Sequence, residues 1–159
     1  QGGYQPELFL DLGDLKYYRL KKKRFDSCEW PQEAEKVISL VRQSKNGRCS
    51  LSLPHILIEE KQWPELLAYV KKANNSWTLE EFSKYLASRY PDEIARAYEK
   101  AAVEVLAPPM GRGNYQVLCR FLARMRKLGF KDLVQRLVRE LSEKYKNRPA
   151  MLDELKNVV

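Results

Sequence analysis

The sequence predicts an all-α fold: a single helical-repeat domain over residues 1–159, built as an array of antiparallel helical hairpins of the α-solenoid, tetratricopeptide-like (TPR-like) kind. A recurring aromatic-Pro-acid phrase is the first reason. It reads "WPQEAEKVISLV" from Trp30, "WPELLAYV" from Trp63 and "YPDEIARAYEKAAVEVL" from Tyr90. Each puts Pro at the first helical position, where its missing N–H costs nothing, and carboxylates in the first turn, where the helix dipole favours them. The second reason is that the apolar residues behind each phrase fall at helical spacing, whereas "RCSLSL" at 48–53 is the only strand candidate and is too short to require one.

Taken in order, residues 1–25 read as a basic N-terminal helix, with "PELFLDLGDLKYYRLKKKR" interrupted or loosened at Gly13, and residues 26–159 as the hairpins. Ala34, Val37, Ile38 and Val41 form the seam behind Trp30; "SLPHILIEEK" is its partner; Leu66, Leu67 and Val70 follow Trp63. Thr78 and Glu81 have capping-box spacing and predict a helix start at Thr78, with Leu79, Phe82, Tyr85 and Leu86 inward. Ile94, Tyr98, Ala101, Ala102 and Val105 line the next helix. Tyr115, Leu118, Phe121, Leu122, Met125 and Leu128 share one face before Gly129, which reads as a C-cap. Leu133, Val134, Leu137, Val138 and Leu141 form the seam after it, and a last helix follows Pro149. Starts near 31, 64, 91 and 130 approach the ~34-residue tetratricopeptide interval, but the intervals differ and the small consensus residues are out of register. The array is similar to that repeat without being a true member.

Composition narrows the function classes. With 44% hydrophobic and 31% charged residues the chain is neither disordered nor fibrous, and its longest apolar runs fall far below the roughly 18 residues of a membrane span. The net charge of +8 would draw polyanions, yet acids and bases alternate along most of the chain, the pattern of a solvated mixed surface. Cys28, Cys49 and Cys119 are too scattered for a zinc module and read as reduced thiols of a cytoplasmic protein. Asn74-Asn75-Ser76 matches a glycosylation acceptor by chance frequency only. The chain opens on Gln1 and reads as a fragment of a longer protein.

One stretch looks like a site. "APPMGRGNYQ", residues 107–116, has the glycines of a phosphate loop but neither a preceding strand nor Gly-Lys-Ser/Thr. It reads better as a helix-to-helix turn: Pro108 and Pro109 end one helix, Gly111 and Gly113 permit positive φ, and Asn114 caps the next. Arg112 and the N–H groups behind Asn114 could still meet an anion. Arg120, Arg124 and Lys127 lie opposite the apolar seam of that next helix and form a candidate binding face. "KYYRLKKKRF" at 16–25 joins six cations to Tyr17 and Tyr18, rings that could stack on bases. Against phosphate binding, Arg136 and Arg139 have Glu140 and Glu143 at i+4, the usual wiring of an exposed helix. Arg48 and His55 give an Arg-x6-His spacing similar to that of helical HEPN ribonucleases, but Pro54 fits a first-turn His badly, and an exposed or structural His55 is the preferred reading.

"PHILIEEKQWPELLAYVKK", "RYPDEIARAYEKAA", "GRGNYQVLCRFLARMRKLG" and "LVRELSEKYKNRPAMLDEL", laid in order over about residues 50–157, resemble the C-terminal helical region of bacterial SWIM zinc-finger proteins. That family's zinc module uses Cys-x-Cys followed by Cys-x-His, which this chain lacks. The resemblance therefore implies zinc only in a missing upstream module, and no ligand role passes to Cys28, Cys49, Cys119 or His55. For the helical part it implies an uncharacterised scaffold. The expectation is a non-enzymatic helical scaffold that binds a protein or acidic peptide through Arg112, Asn114, Arg120, Arg124 and Lys127, with no catalytic residue, cofactor or metal assigned. A nucleic-acid-binding module using the basic faces is the alternative, and a HEPN-like nuclease a third.

Overall fold

The computed structural model describes residues 13–158, and among them every regular element is an α-helix. The N-terminal part of the expected basic helix, up to residue 12, lies outside the described residues. The helices are α1 (Leu15–Lys22), α2 (Trp30–Gln43), α3 (Gly47–Glu59), α4 (Trp63–Ala73), α5 (Ser76–Leu86), α6 (Pro91–Val105), α7 (Arg112–Lys127), α8 (Lys131–Lys144) and α9 (Pro149–Leu155). The chain divides into two compact units, one ending at Tyr69 and one beginning at Val70, so the division falls within α4.

The starts follow the sequence signals with small displacements. Pro91 and Pro149 open α6 and α9, whereas α2 and α4 begin one residue earlier, on Trp30 and Trp63, with Pro in second place. Either position lies in the first turn, whose N–H groups have no intrahelical acceptor. The start of α5 is a correction: its N-cap is Asn75, whose side chain accepts from the Thr78 N–H at 2.8 Å. Thr78 is the third helical residue, and its side chain is buried. The Asn three residues upstream takes the cap because its short amide reaches an orphan first-turn donor, the Thr78 N–H itself.

In the first unit α2 packs on α3. The α2 seam is buried at Trp30, Ala34, Val37, Ile38 and Val41, against Cys49, Ile56 and Leu57 of α3 in the same core. Helix α3 runs straight through "RCSLSL" and through Pro54, so the strand candidate is helical. An interior Pro forfeits one backbone bond, and α3 tolerates it because its ring is itself buried beside Ile56 and Leu57. The helix ends with Lys61 left-handed (φ 54), while Gln62 N–H reaches the Leu57 carbonyl (2.9 Å) and Lys61 N–H the Ile58 carbonyl (3.1 Å). This is a Schellman closure without glycine. Upstream, Asp14 caps α1 by accepting from the Lys16 N–H at 2.9 Å. Gly13 (φ 65) carries a carbonyl that accepts from the Ser52 hydroxyl, and a Cβ on it would run into the Arg48 carbonyl of α3.

In the second unit α7 is the central helix, packing on α6, α8 and α9, while α5 packs on α6 and α8 on α9. Its seam of Tyr115, Leu118, Phe121, Leu122 and Met125 is fully buried, with Phe121 edge-on to the buried Tyr98 of α6 (centroids 6.3 Å apart). Its C-terminus is the expected glycine closure: Gly129 has φ 100, Phe130 N–H reaches the Met125 carbonyl (3.0 Å) and Gly129 N–H the Arg126 carbonyl (3.2 Å). The α8 seam departs from expectation. Only Val134 is buried; Leu133, Leu137, Val138 and Leu141 stay half-buried. No described helix is long and apolar enough to cross a membrane.

The two left-handed glycines should differ in tolerance. Gly129→Ala meets no atom within 4 Å and carries only the φ penalty, about 1 kcal/mol, whereas Gly13→Ala adds a backbone clash and should cost more. Chemical denaturation of the two variants measures the order, and equal losses would mean that the α1–α3 approach has slack.

Candidate functional site

The loop at 107–116 closes on itself. Gly111 is the N-cap of α7 with extended backbone (φ −145, ψ −175), and Gly113 is already helical, so neither glycine uses the positive φ expected of it. Asn114 is not the cap but the third helical residue. Its Oδ1 accepts from the Gly111 N–H (3.0 Å), and its Nδ2 donates to the Val105 carbonyl at the end of α6 (3.0 Å). One amide thus satisfies a free donor at the start of α7 and a free acceptor at the end of α6. Arg112 points its Nη1 at Glu154 (2.8 Å) and Asp153 (3.3 Å) of α9. An anion arriving at this helix start would meet those two carboxylates.

The candidate face on α7 is also committed. Arg120 donates to Glu80 Oε1 from Nη2 (3.1 Å) and Nε (3.3 Å), and Arg124 Nε lies 2.8 Å from Glu80 Oε2. Glu80, on α5, is only 11% exposed, so both guanidinium groups are spent on one nearly buried carboxylate. Arg120 also lies over the Phe121 ring, 5.6 Å from its centroid. Lys127 is exposed and makes no ion pair among the described residues. Four of the five sequence candidates therefore hold helices together, and Lys127 alone of them faces solvent unengaged.

A second carboxylate organises the basic run. Glu60, at the end of α3, accepts from the Tyr18 hydroxyl, from Lys22 Nζ (2.9 Å) and from Trp30 Nε1, which lies 3.0 Å from both of its oxygens. Arg19 pairs with Glu59, and Lys21 with Glu33 at 3.6 Å. Tyr18 is fully buried, which corrects the idea that it could stack on a base; its ring sits edge-on to Trp30, centroids 5.5 Å apart. Burial works to push the Glu60 carboxyl up, but the bonds from Tyr18, Lys22 and Trp30 outweigh it and hold the group below the ordinary carboxylate range. The same burial, followed by the bond to Glu60, drives the Tyr18 hydroxyl far above a free phenol's range.

Reactive groups are dispersed. His55 is exposed in the middle of α3, seven residues from Arg48 in its first turn, roughly 10 Å along the axis. No group of His, Cys, Asp and Glu among the described residues is arranged to hold a metal ion. Cys49 is buried and its thiol pushed up by that burial; burial and then Glu154 push Cys119 up to about 11, leaving it protonated near neutrality. The sequence did not single out Trp77, which sits in the first turn of α5 with 70% of its surface exposed. A Trp without an inward partner at i+3 or i+4 is its only sequence signal.

Glu60 yields a pH prediction. Its folded pKa is lowered, so its contribution is complete above the unfolded carboxylate pKa, roughly 4.3, and is lost as pH falls through the folded value. Glu60→Gln should cost about 1–2 kcal/mol at pH 7 and flatten the acid limb of stability, as read by urea melts from pH 7 to pH 3. An unchanged acid limb would show that the carboxylate is not the group being titrated.

Neither a family model nor a curated protein nor a solved structure matches the chain.

Proposed function

We propose that the chain is a non-enzymatic helical scaffold that binds another protein. The observation that carries this reading is the disposition of its apolar surface. Trp77 and Val103 in the second unit are 70% and 71% exposed, and the α8 seam is only partly covered. Single exposed aliphatics are ordinary, but Trp is among the residue types enriched at protein interfaces. The same reading includes a TPR-like stacking of hairpins, a cytoplasmic setting suited to three free thiols, and membership of a longer SWIM-type protein, which rests on the four helical phrases alone. A Cys-x-Cys and Cys-x-His module upstream of Gln1 in the gene would support that last element.

A nucleic-acid reading rests on the charge of +8. It loses weight because Arg112, Arg120, Arg124, Arg19 and Lys22 all meet carboxylates. Phosphate binding through what remains should fall steeply with salt.

Replacing Trp77 with a photo-crosslinking phenylalanine analogue in the producing cell should give discrete protein adducts, while the same analogue at the exposed Lys146 should not. Adducts to nucleic acid, or identical patterns at both positions, would reject the scaffold reading.

A further inference from the structure

We propose that the half-covered face of α8 is a docking groove for an acidic amphipathic helix of a partner protein. The proposal rests on the scaffold reading and adds a location and a ligand chemistry to it.

Leu133, Val134, Leu137, Val138 and Leu141 repeat at three- and four-residue steps over little more than one heptad, the spacing of a seam made for another helix. In the second unit the α7 seam buries five such residues, whereas α8, touching α7 and α9, buries Val134 alone. Four large aliphatic side chains on one stripe keep a minor part of their surface in water, and covering that part would be favourable at roughly 25 cal/mol per Å². At the N-terminal end of the stripe is a small open cleft of about 40 Å³, lined by Arg126, Lys131, Val134, Gln135, Val138 and Val158. Its volume exceeds the ~15 Å³ one water needs and suits the tip of a single aliphatic anchor.

Charge selects the occupant. Lys131 and Arg126 line the cleft and Lys127 stands exposed on the adjoining turn, and none of the three enters an ion pair among the described residues. Arg126 donates to the Val158 carbonyl, which neutralises none of its charge. The acids on α8 are Asp132 beside the cleft, Glu140 opposite Arg136 at 3.8 Å, and Glu143, which pairs with Lys146 at 3.9 Å. The N-terminal half of the groove is therefore net positive around an apolar floor. A partner with leucines at i, i+3, i+4 and i+7 and glutamates on its flanks complements both features. A second copy of this chain docking through the same face would bring the like charges of its own Arg126, Lys127 and Lys131 to the rim, and nucleic acid would leave the stripe uncovered.

The test is fluorescence anisotropy at about 0.15 M salt, where long-range attraction to the overall charge is screened. Its probe is a labelled synthetic peptide of about five helical turns with a leucine seam and glutamate flanks. The whole chain should bind this peptide. It should bind neither a version with lysine flanks nor one with serines in the seam. Lys131→Glu, at an exposed position, and Leu137→Glu, checked for helix content and melting, should each weaken binding by roughly tenfold. Binding unchanged by both substitutions would overturn the groove, as would failure of the acidic peptide to bind. A dimer in sedimentation that Leu137→Glu makes monomeric would also overturn it, because the occupant would then be a second copy. Adducts from position 77 that persist after any of these results would leave the scaffold reading standing, so the two proposals fail separately.

Discussion

A carboxylate drawn out of water must be met by donors, and each unit of this protein is organised around one that is. Glu60 in the first and Glu80 in the second are 12% and 11% exposed, and each collects several donors from other helices. An unpaired charge at that depth would be strongly destabilising, so the helices that supply the donors are held in one arrangement relative to the acid. Around Glu60 the donors are Tyr18, Lys22 and Trp30, which fix α1 and the start of α2 against the end of α3. Around Glu80 they are Arg120 and Arg124, which fix α7 to α5, while both helices also pack on α6.

This constraint changes the meaning of the basic excess. Cations that look like a binding face in one dimension become structural once their acids arrive from elsewhere in the chain. Arg112 with α9, Asn114 with α6, and Arg120 and Arg124 with α5 are all ties between helices of the second unit. On the proposed reading, the cations that α7 and the start of α8 leave for a partner are Arg126, Lys127 and Lys131, beside the apolar stripe. Recognition by such a surface depends on apolar burial, with charge setting orientation and specificity.

The sequence made the seams of α2, α5, α6 and α7 legible, because each needs only periodicity within one helix, and it made the closure at Gly129 legible because a left-handed C-cap is a local event. Starts were harder where the cap lies three residues upstream of the residue that the pattern suggests, as Asn75 does of Thr78 and Gly111 of Asn114. Pro54 inside α3 shows burial overriding a local breaker. The site was the least legible part. Glu80 lies 40 positions from Arg120 and Glu154 lies 42 from Arg112, and no spacing rule reaches across such separations. The α8 stripe was visible as amphipathic, but periodicity says that a face is apolar without saying what covers it.

Arg120 and Arg124 serve the fold through Glu80. A double-mutant cycle of Glu80→Ala and Arg124→Ala, read by chemical denaturation, tests it most directly. The expected result is a favourable coupling of about 0.5–1 kcal/mol that shrinks with added salt, as suits a guanidinium that is still half exposed. Additive effects with no coupling would contradict it and return these arginines to the surface as candidates for binding.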